Sequence, residues 1–453
     1  MSDRWSGPFP SENVAGVECA ALALLVLVGI AAIPLGLAWR RALIGFGAVA
    51  TVLALVGLAA SGSRAGVLAL VVGVAVLVGL RAIGWRLAAG ALGVVALASL
   101  VAPLGSRMVA GVVVDASIAD RLRLWWATLA CIADHPWRGV PTSNPPDWID
   151  AWYLPAVLGG RFASPLNAIL DTALTYGLPV AGTAMILIAW PLALAADPRM
   201  RGQRLVAGCA ALAMAHLTGA MFQSHQRWWP YALVLVLALI GTALAAVARP
   251  QARSERMGRA AWHALAAGAL ATCVLAALAL LAAHLHPWQA HRVDGVVLVR
   301  PRHTEPWAVI AIATDHPTEL ARTGVAWAHA ALADGAEVVL VERGWDALAA
   351  VVADRGDFRP VSAVGFGEAG SRVWRGDVLL GDRVLGVAVD PTALADAVSG
   401  RRLVITARAA PFVPTRALRA RVNVANERIV ILPTARVDPA AGWALVAAAL
   451  RQH

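Results

Sequence analysis

The segments DRLRLWW (residues 120–126), DHPWRGV (134–140) and SPLN (164–167) lie within one long polar interval, Leu104 to Gly177. Cationic, aromatic and turn-forming residues are concentrated there, whereas the rest of the first 285 residues consists mainly of hydrophobic runs. Runs near the ~20 apolar residues that a helix needs to cross a bilayer flank the interval on both sides. The interval therefore predicts a large loop between two membrane spans, and we expect this loop to form a lid and part of a functional site.

The composition is that of a polytopic membrane protein. Of 453 residues, 59% are hydrophobic and 15% are charged, with a mean hydropathy of +0.67, which excludes an ordinary soluble domain. The formal net charge is +10, and every basic residue is arginine. Because the arginines are spread over short loops and form no stripe, they indicate contact with anionic lipid rather than nucleic acid. The four cysteines have no metal-ligand spacing, so we predict no metal site.

Eight hydrophobic runs predict eight membrane-spanning helices. The short connections after the first, third, fifth and seventh runs are rich in arginine, which is the pattern of cytoplasmic loops. This pattern places both termini, the long loop and the chain after residue 286 outside the cytoplasm. The predicted runs are residues 17–39, 42–60, 65–80, 87–103, 178–196, 204–222, 231–248 and 264–285.

Two arginines run against this charge pattern. Arg64, in SGSRAG (61–66), and Arg227, in QSHQRWW (223–229), fall in short connections on the predicted outer side. Snorkelling of the side chains to lipid headgroups is one explanation, and binding of an anionic substrate at the outer face is the other. His216 lies inside the sixth run, where an ionisable group is either functional or bonded to a neighbouring helix.

Four segments, in order, resemble a known family. GPFPSENVA (7–15) precedes the first span, SGSRAG (61–66) lies in the next outer connection, residues 121–126 and 135–140 open the long loop, and NAILDTALTYG (167–177) closes it. Together these segments resemble the bacterial O-antigen ligase and polysaccharide polymerase superfamily.

The resemblance covers roughly residues 5 to 248 and has two departures. The family has further spans before the first segment, so the chain either starts late or uses a partner membrane protein that supplies the missing spans. Ser164, Pro165 and Leu166 precede Asn167, where the family carries a histidine associated with ligase chemistry. A polymerase therefore stays open beside a ligase. The alternative is a catalytically inactive membrane assembly or glycan-binding relative with a pseudo-hydrolase tail.

The resemblance implies transfer or polymerisation of a glycan from a polyprenyl-diphosphate carrier to an acceptor glycan or lipid, without a cofactor. This would occur at the outer face of the cytoplasmic (inner) membrane, as in O-antigen or exopolysaccharide assembly. Negative charge grows on the departing diphosphate, and the planar, permanently charged guanidinium of arginine suits it. An acceptor hydroxyl also needs a base. The catalytic candidates are Arg64, Arg121, Asp171 and His225, and the substrate-binding candidates are Arg123, Arg227, Asn13, Asn167 and His135.

Helix geometry separates the paired candidates in the loop. If residues 120–126 are helical, Arg121 and Arg123 point about 200° apart, so only one of them faces the site. Arg121 would share a face with Trp125, and we expect Arg123 to point to lipid headgroups. Asn167 and Asp171 would also share a face, for which capping or a solvated position is as good an explanation as catalysis.

The composition changes after His286, where strand-like runs alternate with helix-like runs. This alternation predicts an α/β domain with a mostly parallel sheet at residues 290–453, following a transmembrane domain at 1–285. The strand-like runs are residues 294–300, 307–313, 336–341, 361–365, 384–389, 402–407 and 428–432, and the helix-like runs include 317–334, 345–354 and 439–451.

The tail faintly resembles an α/β-hydrolase without its catalytic residues. VGFGEAG (364–370) stands where a Gly-x-Ser-x-Gly elbow would be, with Gly367 at the position of the nucleophile. The later acid and histidine positions fall near Ala410 and Arg436. None of these residues can take part in Ser-His-Asp chemistry. We therefore expect a degenerate hydrolase-like or Rossmann-like module with a binding or structural role.

Overall fold

The computed structural model forms two compact units. One comprises Met1–Asp150 with Leu154–Ala282, and the other Ala151–Tyr153 with Ala283–His453. The residues that the structure describes are 12–32, 39–84, 87–93, 116–142, 145–154, 167–196, 204–222, 253–293, 296–313, 324–341, 361–366, 384–389, 402–407, 427–432 and 438–451.

The first unit is helical. Among its described helices, four segments are long and apolar enough to cross a bilayer: Asn13–Ile30, Arg41–Ser61, Leu178–Ala196 and Ala261–Leu285. Two shorter apolar helices cover Arg64–Gly79 and Val206–Ala220. The helices are α1 (Glu12–Ala32), α2 (Arg40–Ser61), α3 (Arg64–Gly79), α4 (Ala116–Asp134), α5 (Pro145–Trp152), α6 (Ala168–Tyr176), α7 (Leu178–Ala196), α8 (Arg204–Ala220) and α9 (Arg253–Leu285).

Six of the predicted spans fall on described helices, with some differences in their ends. The helix α1 begins at Glu12 rather than at residue 17, and α9 begins at Arg253 rather than at 264. In α9 the preceding residues are mainly arginine, glutamate, methionine and alanine, which favour helix although they are not apolar as a group. The predicted run at 231–248 and most of the run at 87–103 lie outside the described residues.

The turn between α2 and α3 packs tightly on α1. Gly62 ends α2 in the left-handed conformation, with φ +61°, and Ser63 caps α3 by accepting a hydrogen bond from the Gly66 amide at 3.1 Å. The Ser63 hydroxyl also lies 3.4 Å from the Asn13 carbonyl oxygen, to which it donates. A Cβ on Gly66 would lie 2.5 Å from the backbone of Gly16. The main chains of α1 and α3 are therefore in direct contact beside Arg64, the first residue of α3.

The two ends of the long loop are joined at its base. The Val140 amide donates to the Leu174 carbonyl, and the Leu178 amide donates to the Pro136 carbonyl, both at 2.8 Å. Gly177 has φ +87°, and a Cβ there would lie 2.3 Å from a backbone oxygen of the facing segment. The segments that open and close the loop thus form a single hydrogen-bonded neck.

The second unit contains a mixed sheet, in which eight strands are described. The order is β1-β2-β4-β3-β5-β6-β7-β8. The pairings β1–β2 and β2–β4 are antiparallel, and the remaining pairings are parallel. The elements are β1 (Trp288–Val293), β2 (Val296–Pro301), β3 (Val309–Ala313), α10 (Val325–Ala333), β4 (Glu337–Val341), β5 (Val361–Phe366), β6 (Val384–Val389), β7 (Arg402–Ala407), β8 (Glu427–Leu432) and α11 (Pro439–Arg451).

Strands lie at each of the seven predicted runs, and one further strand, β1, was not expected. Its sequence, WQAHRV, interleaves polar and apolar residues and lacks the continuous apolar character of the other strands. It pairs at the edge of the sheet, where only one side of a strand is hydrogen-bonded. The predicted helix at 345–354 and the positions Gly367, Ala410 and Arg436 lie outside the described residues.

Candidate functional site

Arg121 lies on α4 and binds the end of α8. Its Nη1 atom donates to the Phe222 carbonyl at 3.0 Å, and the Trp125 ring lies 6.3 Å from the Phe222 ring. Arg123 is on another face, with a side chain 64% exposed and 3.7 Å from the Asp120 carboxylate. The predicted shared face of Arg121 and Trp125 is confirmed, because residues four apart in a helix are neighbours.

The position of Arg121 also has a structural explanation. The last carbonyls of a helix have no partner within the helix, and a cation there interacts favourably with the helix dipole. Arg121 supplies both a donor and a positive charge just after α8 ends at Ala220. The hydrogen bond to the Phe222 carbonyl therefore positions the Arg121 guanidinium just beyond the end of α8.

Phe222 is one of the residues that line an apolar cavity of about 460 Å³. On α7, its lining residues follow the spacing of one helix face, from Met185 to Leu192, which corresponds to a length of roughly 10 Å. Thr218 turns its hydroxyl to the Met214 carbonyl, at 2.8 Å, instead of into the cavity. The described lining is Leu68, Ile169, Met185, Ile188, Ala189, Leu192, Leu217, Thr218, Met221, Phe222, Ala267, Gly268 and Ala271.

Arg64 lies one helical turn from the same cavity. Its side chain is exposed, and Leu68, four residues further along α3, is part of the lining. The N-terminus of a helix carries a partial positive charge, which adds to the charge of Arg64 at the first position of α3. Arg121 therefore binds the carbonyl of one lining residue, Phe222, and Arg64 lies one helical turn from another, Leu68. An anionic headgroup near these residues could bind both guanidinium groups while an apolar tail fills the cavity.

Asn167, Asp171 and His135 lie at or near the neck of the loop. The Asn167 side chain caps α6, accepting hydrogen bonds from Ile169 and Leu170 at 3.0 and 3.2 Å. Asp171 is only 5% exposed, so a solvated position does not explain it. The His135 ring lies 6.0 Å from the Trp148 ring, edge to face. Substrate binding or catalysis by these residues stays a prediction.

Replacing Asn167 by alanine should destabilise the helical unit by about 1 kcal/mol, because two amides of the first turn of α6 lose their acceptor. Asn167→Ser should retain most of the stability, since its hydroxyl is an equally good cap and adds no charge at this buried position. Thermal unfolding of both variants in the same detergent measures the difference. An equal loss in both variants would contradict a capping role.

The remaining candidates are described in part. The Asn13 backbone belongs to the α2–α3 turn contact described above, which brings it close to Arg64 in the structure. His225 and Arg227 lie outside the described residues. Where the chain is described, there is no group of three or more His, Cys, Asp or Glu residues arranged to hold a metal ion.

A polar pair lies inside the helical unit; the sequence pointed to His216 and to a partner on a neighbouring helix, but Glu18 was not recognised as that partner. The Nε2 atom of His216, on α8, lies 3.8 Å from the Glu18 carboxylate on α1, and its Nδ1 atom lies 2.9 Å from the Leu212 carbonyl. The available signal was a carboxylate within an apolar run. At about 100° per residue, His216 points to the opposite side of α8 from the residues that line the cavity. The pair is therefore separate from the candidate site.

The α2–α3 turn, the loop neck, Arg64 and Arg121 fall within one region of similarity. Residues 49–187 match the O-antigen ligase family. The match runs from within α2 through the long loop to α7, and it includes Arg64, Arg121, Asn167 and Asp171. With the apolar helices, it indicates an integral membrane protein with a ligase or polymerase role. No curated protein matches the chain.

Several solved structures of hydrolases are similar to part of the chain. An alpha-beta serine hydrolase homologue from Coxiella burnetii is 15% identical, with a TM-score of 0.25, covering 32% of this chain and 86% of that chain. The S-formylglutathione hydrolase FrmB from Staphylococcus aureus is 11% identical, with a TM-score of 0.26, covering 36% and 94%. An alpha-beta hydrolase from Vibrio vulnificus is 9% identical, with a TM-score of 0.25, covering 36% and 79%. At these TM-scores, no activity is inferred from the likeness.

Proposed function

We propose that this protein is a membrane glycosyltransferase-type ligase or polymerase. It takes a glycan from a polyprenyl-diphosphate carrier and joins it to an acceptor glycan or lipid at the outer face of the cytoplasmic membrane. The observation that carries the proposal is the apolar cavity lined by Phe222, whose carbonyl accepts a hydrogen bond from Arg121, and by Leu68, one helical turn from Arg64. The match of residues 49–187 to the O-antigen ligase family supports the same reaction.

The cavity suits the apolar part of the donor. Isoprene units that enter the cavity exchange contacts with bilayer lipid for contacts with the lining side chains, so close packing rather than the hydrophobic effect would hold the carrier there. The lipid tail would then bring its diphosphate near Phe222, whose carbonyl Arg121 binds. The distribution of arginines in the short connections supports an outer position for the loop and for the tail domain.

The reaction is a displacement at the anomeric carbon. The acceptor oxygen attacks this carbon, the bond to the diphosphate oxygen breaks, and the carrier leaves as polyprenyl diphosphate. Arg64 and Arg121 stabilise the charge that develops on the leaving diphosphate. The proton of the acceptor hydroxyl goes to a base, for which Asp171 and His225 are the candidates. No cofactor takes part in this scheme.

A transfer assay with purified protein tests the proposal. The protein is incubated with a polyprenyl-diphosphate oligosaccharide and an acceptor glycan in detergent or nanodiscs, and release of polyprenyl diphosphate is measured together with product. Release coupled to glycan transfer is the expected result. Binding of the donor without release would instead indicate an inactive assembly or glycan-binding protein and would overturn the proposal.

Filling the cavity should weaken donor binding. Ala189→Phe places a ring among the lining side chains, and we expect the KM for a long-chain donor to rise at least about tenfold, because the ring takes the space of the isoprene units and removes their packing contacts. Leu187→Phe is the control, since Leu187 is two residues away and 45% exposed on the outside of α7. A short-chain donor should be affected less than a long-chain donor, and equal effects would argue against a lipid tail in the cavity.

A further inference from the structure

Three consecutive residues of the long loop are built into the second unit. Ala151–Tyr153 belong to that unit, although the chain on both sides of them belongs to the first. The backbone carbonyls of Ala151 and Trp152 accept hydrogen bonds from side chains of the second unit, and that of Tyr153 lies next to a histidine ring of the same unit. His329 Nε2 donates to Ala151 at 2.7 Å, Trp288 Nε1 donates to Trp152, and His286 Nε2 lies 3.3 Å from the Tyr153 oxygen.

These contacts provide hydrogen-bond donors for the backbone carbonyls at the C-terminal end of α5. The last carbonyls of a helix need partners outside the helix, and His329 and Trp288 supply donors to Ala151 and Trp152. The side chains of this segment are also enclosed, because Trp152 and Tyr153 are each 3% exposed. The Ala290 amide donates to the Tyr153 hydroxyl at 3.3 Å, and the Tyr153 ring lies 5.0 Å from the His286 ring.

The donors come from separate places in the tail sequence. His286 and Trp288 lie at the start of the domain, around the beginning of β1, whereas His329 lies on α10. Burial lowers the pKa of His329, and the hydrogen bond to Ala151 offsets part of this effect. A neutral imidazole carries one N–H group, which His329 gives to Ala151. The fold of the domain therefore positions several donors around one short peptide segment.

We propose that the tail domain is a clamp that holds the long loop by Ala151–Tyr153, and that it contributes to glycan transfer by positioning the loop. The consequence for transfer rests on the proposed function, whereas the hold itself does not. One turn earlier on α5, the Trp148 ring contacts His135, which directly precedes the loop neck. His286, Trp288 and His329 are thus positioning residues, and the domain needs no catalytic group of its own.

Hydrogen exchange in the full-length protein tests the hold. The double variant Trp288→Phe and His329→Phe keeps two aromatic rings but removes the donors to Trp152 and Ala151. We expect the amides of residues 145–154 to exchange about tenfold faster than in the wild type. The control is Arg451→Ala, which breaks the 2.8 Å ion pair with Asp334 elsewhere in the same domain. Unchanged exchange in the double variant, or an equal rise in the control, would overturn the clamp.

Glycan transfer by the same proteins tests the positioning role. We expect kcat of the double variant to fall about tenfold with little change in the KM for the donor, and Arg451→Ala to transfer normally. Faster exchange with unchanged transfer would overturn the positioning role. If the wild type transfers no glycan, the proposed function fails while the exchange experiment still decides the clamp. Should the double variant not fold, Tyr153→Phe, which removes the hydroxyl that accepts from the Ala290 amide, tests the clamp by the same exchange measurement.

Discussion

Arg121→Ala should lower kcat for glycan transfer by at least about a hundredfold in a protein that still inserts and folds. This is the usual scale for removing one group that stabilises charge in a transition state. Arg121 is held at the end of α8, beside a residue that lines the apolar cavity. A diphosphate whose lipid tail occupies that cavity would lose one of its two cationic partners. We expect Arg64→Ala to have a similar effect.

The same helix offers a matched control. Arg123 is two residues away, 64% exposed and on a different face of α4, so Arg123→Ala should transfer glycan at close to the wild-type rate. Arg121→Lys distinguishes a catalytic role of Arg121 from a role in stabilising the fold. Lysine keeps a donor and a positive charge, but it lacks the planar fork that binds two phosphate oxygens. It should restore thermal stability without restoring kcat. Wild-type transfer by Arg121→Ala, or an equal loss in Arg123→Ala, would contradict the assigned role.

Gly177→Ala should destabilise the helical unit by about 2–4 kcal/mol and abolish transfer, because two penalties combine at this position. Gly177 has φ +87° and ψ 169°, a region that only glycine occupies without strain. The added methyl group would also lie 2.3 Å from the backbone oxygen of Trp137, which has no flexible side chain to move away. Opening the loop neck relieves both penalties, and thermal unfolding together with the transfer assay measures the result.

Gly335→Ala measures the cost of backbone strain in the absence of a steric clash. Gly335 has φ +82°, but the nearest atom to an added Cβ is Trp307 Cδ1 at 3.7 Å, which is an ordinary contact. We expect a loss of about 1 kcal/mol there, from backbone strain alone, with normal transfer. If Gly177→Ala lowers thermal stability and transfer no more than Gly335→Ala does, the close packing of the loop neck at Gly177 is contradicted.

The features that follow from local periodicity were predictable from the sequence. Hydrophobic runs indicated the helices at α2, α3 and α7 because the apolar requirement of a bilayer acts on each helix separately. The shared face of Arg121 and Trp125 followed from their spacing alone. The capping position of Asn167 was one of two open explanations, and choosing between them required the position at which α6 begins.

The features that depend on distant residues were not predictable in this way. The hydrogen bonds of the loop neck join residues more than thirty positions apart, and nothing local marks Val140 as the partner of Leu174. Glu18 and His216 are each visible as polar residues in apolar runs, but their pairing depends on the packing of α1 against α8. The cavity likewise exists only where several helices meet.

The contact between Gly16 and Gly66 bears on the route by which a lipid donor leaves the surrounding bilayer. There the main chains of α1 and α3 touch without an intervening side chain, so no rotamer change can open that seam. A long isoprenoid arriving sideways would have to separate two whole helices there. Lateral entry should therefore occur at a seam other than the one between α1 and α3.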